Sequence, residues 1–303
     1  MGTISFSAAI FRADRAHLCG GGKVATMKAS RSATRTARGT RSAFERVMLM
    51  ASLTIKGTEI GAGVPKTIVS LMGTDAAAVL PQIEAGKVAG VDCFEWRADF
   101  CRALHDPAAM AAESHVLADQ LPDNPLLFTF RSTSQGGQCT LPVADYVALN
   151  RAVIEAGAID LVDIETWIGD EAVRELVACA HAHGVAAVVS YHNFKGTPSV
   201  DWMVALLTHM RDLGADIPKI AVMATCPRDA LALLAATDEA ARVHDAGPLL
   251  TMAMGRDGSI TRLAGEQFGS ALTFCALEDA SAPGQVAVPQ AKRIMADLHD
   301  VLS

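Results

Sequence analysis

From residue 53 onward, short apolar runs alternate with longer stretches whose apolar positions recur at helical spacing. The runs are KTIVSL at 66–71, VDCFEWR at 91–97, LLFTFRS at 126–132, LVDIE at 161–165, AAVVSYH at 186–192, KIAVMA at 219–224, LLTMAM at 249–254 and ALTFCAL at 271–277. They are apolar at consecutive positions, as in parallel strands covered on both faces. Between them the pattern predicts a helix from about Asp75 to Ala85, a second after Asp106-Pro107, and a third with Val143, Val147, Val153 and Ile154 at turn spacing. Asp170 is expected to cap a fourth, whose apolar face is Val173, Leu176, Val177 and Ala180 and which ends at Gly184. Pro289 is expected to start a last helix facing inward through Ile294, Leu298, Val301 and Leu302. Eight strand–helix units in roughly 250 residues predict a single-domain (β/α)8 TIM barrel over residues 51–303. An open doubly wound sheet would be expected to carry a Gly-rich loop after its first strand, and SLMGTDAA lacks the GxGxxG pattern.

Composition fits this picture. Half of the 303 residues are apolar and aromatics are scarce, which suits Ala- and Leu-rich helices on a parallel sheet better than a sandwich. Charge divides the chain: residues 1–50 hold nine Lys and Arg but only Asp14 and Glu45, leaving 17 basic and 31 acidic residues in the remainder. An acidic body excludes nucleic acid as the main partner. The basic segment, rich in Ser, Arg, Thr and Gly, reads either as a mitochondrial or plastid transit peptide or as sequence upstream of a start at Met48 or Met50. Either way little packed structure is expected before about residue 52. The seven cysteines form no CxxC pair and are odd in number, which reads as free thiols in a reducing cytosol. No run of 18 apolar residues predicts a membrane helix.

Active sites of barrels lie at the C-terminal ends of the strands. Polar residues at or beside those ends include Glu95, Arg97, Arg131, Glu165, His192 and Arg262, with Lys219 opening the sixth run. His192 is the one histidine of nine that ends an apolar run, a position suited to acid/base work. If Lys219 points into the barrel, low polarity and nearby arginines would favour the neutral amine that attacks a ketone. Lys195 and, more weakly, Lys66 compete for that role. His181 and His183 are two residues apart, which on a helix does not converge on one metal ion, and no HExxH motif is present.

Taken in order, FEWRADF, FTFRS, VDIE, SYHNFKGTP, IPKIAVM, MAMG and ITRLAGEQFGSALTFCALEDASAPGQ resemble the type I 3-dehydroquinate dehydratase family over about residues 53–303. The resemblance implies dehydration of 3-dehydroquinate to 3-dehydroshikimate in aromatic amino acid biosynthesis, by a cytoplasmic homodimer that needs no metal or organic cofactor and has no nucleic-acid or membrane partner. It places the Schiff-base lysine on Lys219, the general acid/base on His192 and the carboxylate-binding arginine on Arg262. Other substrate contacts fall on Glu95, Arg97, Arg131, Ser281 and Gln285, and Met254 falls where a methionine packs against the substrate ring. One departure is RSTSQGG, where Gln135 occupies the place of a glutamate that helps orient the histidine. A glutamine carries no negative charge, which is expected to lower the His192 pKa. A class I aldolase on the same fold, or a non-catalytic small-molecule-binding barrel, are the competing readings.

Overall fold

The apolar runs form eight parallel strands in the computed structural model, which describes residues 52–277 and 281–302 of the chain. The expected basic extension at 1–50 lies outside the described residues. The barrel strands are β3 (Lys66–Leu71), β4 (Cys93–Arg97), β5 (Leu126–Thr129), β6 (Leu161–Glu165), β7 (Ala186–Asn193), β8 (Ile217–Met223), β9 (Leu250–Met254) and β10 (Leu272–Phe274). They pair in the order β10-β3-β4-β5-β6-β7-β8-β9. A parallel bridge between Leu249 and Ser270, beside β9 and β10, brings the two edges together. The helices between the strands are α1 (Ala76–Ala89), α2 (Pro107–Gln120), α3 (Val143–Ala156), α4 (Asp170–Ala182), α5 (Val200–Asp212), α6 (Pro227–Arg242), the short α7 (Ile260–Leu263) and α8 (Gly265–Phe268), and α9 (Val288–Leu302). The arrangement is a (β/α)8 barrel.

Two apolar layers follow from the two-residue period of a strand. Val69, Leu71, Phe94, Trp96, Phe128, Val162, Ile164, Val189, Ile220 and Val222 pack outward against the helices. Ile68, Cys93, Leu127, Leu161, Val188, Ile217, Leu250 and Leu272 belong to a second cluster inside the barrel. The N-terminal end of that inner cluster is stoppered by a hairpin, β1 (Leu53–Ile55) and β2 (Thr58–Ile60), which inserts the fully buried Ile60 with Leu53 and Ile55 beside it. Its turn, Lys56-Gly57, takes positive φ at both residues (47° and 77°), the backbone that matches strand twist in a two-residue hairpin.

The same end is fastened by a repeated carboxylate clip. Asp92, Asp160 and Asp216 each precede an even-numbered strand and accept the N–H of Thr67, Leu126 and Ala187 on the neighbouring strand, at 2.8, 2.8 and 2.7 Å. Each carboxylate also meets a basic side chain: Lys292, Lys56 and His181, respectively.

Several expected boundaries shift. β4 starts at Cys93 and β5 stops at Thr129, both shorter than their apolar runs. Gly169, at φ 92°, holds the cap position of α4, and Asp170 is the first helical residue. α9 packs inward through Val288, Ala291 and Met295; Leu298, Val301 and Leu302 are exposed, so its buried stripe is rotated from the expected one. The six described cysteines are free thiols, and no described helix is long and apolar enough to cross a membrane.

Candidate active site

Along six consecutive strands one inward step of two residues crosses from apolar to polar: Ile68 to Ser70, Cys93 to Glu95, Leu127 to Thr129, Leu161 to Asp163, Val188 to Ser190, and Ile217 to Lys219. Above that level the barrel opens into a pocket. Its lining contains the nine residues that the family resemblance places at the site, Glu95, Arg97, Arg131, His192, Lys219, Met254, Arg262, Ser281 and Gln285, together with Gln135, while Glu165 lies behind it.

Lys219 does not open its strand. It is the third residue of β8 and is 1% exposed, with Nζ 2.8 Å from Asp163, 3.9 Å from Glu95 and 4.7 Å from the centre of the Phe274 ring. The charges against it are thus carboxylates, where the sequence reading expected arginines. Lys195 is exposed, and Lys66 donates to the Val64 carbonyl at the opposite end of the barrel. His192 pairs with Ala221 across β7 and β8, and Ser190 with Lys219, so the histidine stands one inward step nearer the mouth than the lysine. Gln135 is buried, and its Oε1 accepts the His192 backbone N–H at 2.8 Å and lies 3.0 Å from Nδ1. An acceptor there holds a proton on Nδ1 and leaves Nε2 as the free base. Burial, then the positive charges of Arg131 and Lys219, push the imidazole well below its usual range; Asp163 opposes them.

The three arginines differ. Arg97 makes a two-point contact with Asp99, 2.8 Å on each side. Arg131 is held by Glu165, Asp163 and Ser190 at 2.8, 2.8 and 3.0 Å. Burial disfavours the Arg131 charge, but Asp163 and Glu165 outweigh it and raise its pKa further. Arg262 has no carboxylate against it among the described residues. It donates to the Phe274 and Pro283 carbonyls at 3.4 and 3.3 Å, and its buried Nε has no partner. Burial brings its pKa down to about 10. A buried guanidinium without a counterion is a receptor for an anion. Ser281 and Gln285 clasp each other, Gln285 Oε1 accepting the Ser281 N–H at 2.9 Å and Gln285 Nε2 donating to Ser281 Oγ at 2.8 Å. Ser70 reaches across to Ser281 at 3.0 Å and to Glu95 at 2.5 Å, while Thr129 donates to the other Glu95 oxygen at 2.9 Å.

Sequence reasoning missed Asp163, Ser70, Thr129, Ser190 and Met252. The available signal was the two-residue spacing of Asp163 and Glu165 in LVDIE, which places both acids on one face of a strand whose other face is apolar. Behind them the Tyr146 hydroxyl accepts the Glu165 N–H at 2.9 Å and donates to the Asp163 carbonyl at 3.3 Å.

Comparison with known proteins places the chain in one family. The model of the type I 3-dehydroquinase family matches residues 67–301. A 3-dehydroquinate dehydratase of Shigella boydii is 45% identical over 250 residues, covering 82% of this chain and 99% of that protein. The solved type I 3-dehydroquinate dehydratase of Clostridium difficile, with covalently modified comenic acid, superposes with a TM-score of 0.80 at 37% identity, covering 84% of this chain and all of that one. The enzyme of Geobacillus kaustophilus gives 0.79 at 39% identity, with 82% and 97% coverage. This chain belongs to the type I 3-dehydroquinase family.

Proposed function

We propose that this chain is a 3-dehydroquinate dehydratase that forms a Schiff base on Lys219 and uses His192 as its acid and base. The observation that carries the reading is the placement of a buried lysine one inward step below a histidine pushed toward its neutral form, with Arg262, which has no carboxylate against it among the described residues, in the same pocket. The proton beside a ketone is weakly acidic. Converting the ketone to an iminium supplies an electron sink, and Nε2 of His192 then removes that proton. The imidazolium so formed protonates the departing hydroxyl, which leaves as water. Arg262 receives the substrate carboxylate, and Glu95, Arg97, Arg131, Ser281 and Gln285 position the ring hydroxyls, with Met254 packed on its face. Asp99 and Asp163 keep Arg97 and Arg131 fixed, so both act as positioned donors. The solved Clostridium difficile relative, described with covalently modified comenic acid, supports a covalent reading of this family member.

The reaction belongs to aromatic amino acid biosynthesis on this reading, and the expected cytoplasmic homodimer is part of it; sedimentation velocity measures the assembly. The direct test is borohydride reduction in the presence of substrate, followed by peptide mass mapping. One reduced adduct on Lys219 is expected. An adduct on Lys195, or none, overturns the reading, and trapping by sugar phosphates in place of 3-dehydroquinate would favour an aldolase.

A further inference from the structure

Asp163 is a buried acid at the centre of the pocket's charge network, and the chemistry above gives it no part beyond holding Arg131. Its Oδ2 accepts from Lys219 Nζ and from Arg131 Nη2, both at 2.8 Å, and its Oδ1 accepts the Ser190 hydroxyl at 2.6 Å. The other groups facing Lys219 are less well placed to balance it. Glu95 stands 3.9 Å away with its oxygens taken by Ser70 and Thr129. Phe274 offers a ring face. His192, Arg97, Arg131 and Arg262 carry no negative charge.

We infer that Asp163 is the fixed counterion of the covalent intermediate, holding Nζ of Lys219 from ammonium to iminium. The inference rests on the Schiff-base reading and adds the group that stabilises it. Condensation takes an ammonium and a ketone to an iminium and water. The carbonyl oxygen leaves with two of the three ammonium protons, a C=N bond replaces C=O, and the positive charge stays on nitrogen. The third proton remains as the iminium N–H, and Asp163 is placed to keep accepting it. Burial alone would raise the Asp163 carboxyl, but Arg131 and Lys219 outweigh it and hold the group well below the usual carboxylate range. That direction favours Asp163 as a standing anion, and the proton transfers are assigned to His192. Beside the buried Nζ, a fixed anion favours the iminium over the neutral imine.

The consequence is an intermediate that keeps its proton at higher pH than an imine in water. The product ketone, labelled with ¹³C at the carbonyl, is added to the full chain, and the adduct carbon is followed by NMR across pH beside the imine of the same ketone with butylamine. The enzyme-bound carbon is expected to keep its iminium shift well above the pH at which the butylamine imine loses its proton. Asp163→Asn is expected to lower that pH, move the alkaline limb of kcat the same way, and reduce turnover by about 10²–10³-fold, as for loss of one preorganised stabilising group. Glu95→Gln is expected to move the limb less. A wild-type adduct that titrates like the butylamine imine overturns the inference, as does an Asn variant whose profile is scaled without shifting. If the Asn variant fails to fold, the wild-type titration decides. Failure to trap any adduct on Lys219 removes the Schiff-base reading itself, whereas an adduct with an ordinary titration removes only the role of Asp163.

Discussion

The two ends of the barrel use charge in opposite ways. At the N-terminal floor, Asp92, Asp160 and Asp216 are spent on backbone N–H groups and on basic side chains, over a plug of Ile60, Leu53 and Ile55. At the C-terminal mouth, Glu95, Arg131, Asp163 and Lys219 are buried, Arg262 has no carboxylate against it among the described residues, and His192 is pushed toward its neutral form. The floor's charges stabilise the fold, and the mouth's are held ready for a ligand at a cost to stability. Substitutions should therefore divide cleanly. Floor variants lower stability with little effect on turnover, and mouth variants do the reverse.

The largest effect is expected for Lys219→Met, which matches the length of the lysine without the amine. Loss of a covalent nucleophile costs on the order of 10⁶-fold in kcat. Asp163 keeps Arg131 as a partner, so the variant should remain folded, as circular dichroism will report. Residual turnover near wild type would break the comparison at its centre. Next comes His192→Ala. Nucleophilic attack belongs to Lys219, so imine trapping should persist and be visible by intact mass. Turnover should fall by about 10⁴-fold, the upper end for an acid/base group, because two proton transfers depend on it.

Ile60→Ala tests the floor. Truncating a fully buried isoleucine costs about 2–5 kcal/mol through lost burial and the cavity left behind. Chemical denaturation should show that loss, while kcat per folded molecule stays unchanged. A changed kcat would mean that the plug also shapes the mouth. Arg262→Met is its counterpart. A charge-assisted pair contributes about 1.5–3 kcal/mol, so KM should rise roughly 10- to 100-fold. Because the buried guanidinium has no carboxylate partner among the described residues, Tm should hold or rise.

Most of this architecture is readable from the chain, because buried parallel strands leave unbroken apolar runs and capping residues mark the helices. The floor is not. LTIKGTEI looks polar and short, and a Lys-Gly turn lacks the Asn or Asp that usually announces two positive-φ residues. Pro218 hides the start of β8, since it cannot donate to a ladder. The structure accommodates it as the second residue of the strand, which moves Lys219 two places inward. His192, Lys219 and Arg262 stand out because motifs carry them. Asp163 does not, because its partner Lys219 lies two strands away on β8 and meets it only inside the closed barrel. Chain order gives no sign of that pairing.

The smallest expected effect probes the boundary itself, at Gln135. Its Oε1 holds both the His192 backbone N–H and Nδ1 without adding charge. Gln135→Glu keeps that geometry and places an anion beside the ring, which favours the imidazolium. The acidic limb of the kcat/KM profile should move to higher pH by about one unit, a modest shift for a neighbouring opposite charge. Stability carries the same sign. In the wild type the folded imidazole titrates below its usual 6.5, so as pH falls from that value the unfolded chain binds a proton the native state refuses. Stability present above pH 6.5 is lost as pH falls toward the folded value. In the glutamate variant the two values lie closer together, so this loss should shrink. Paired pH profiles of kcat/KM and of denaturation midpoint measure both. An acidic limb that stays in place would show that the charge at 135 does not reach the histidine, and would leave burial, Arg131 and Lys219 as the groups that keep it neutral.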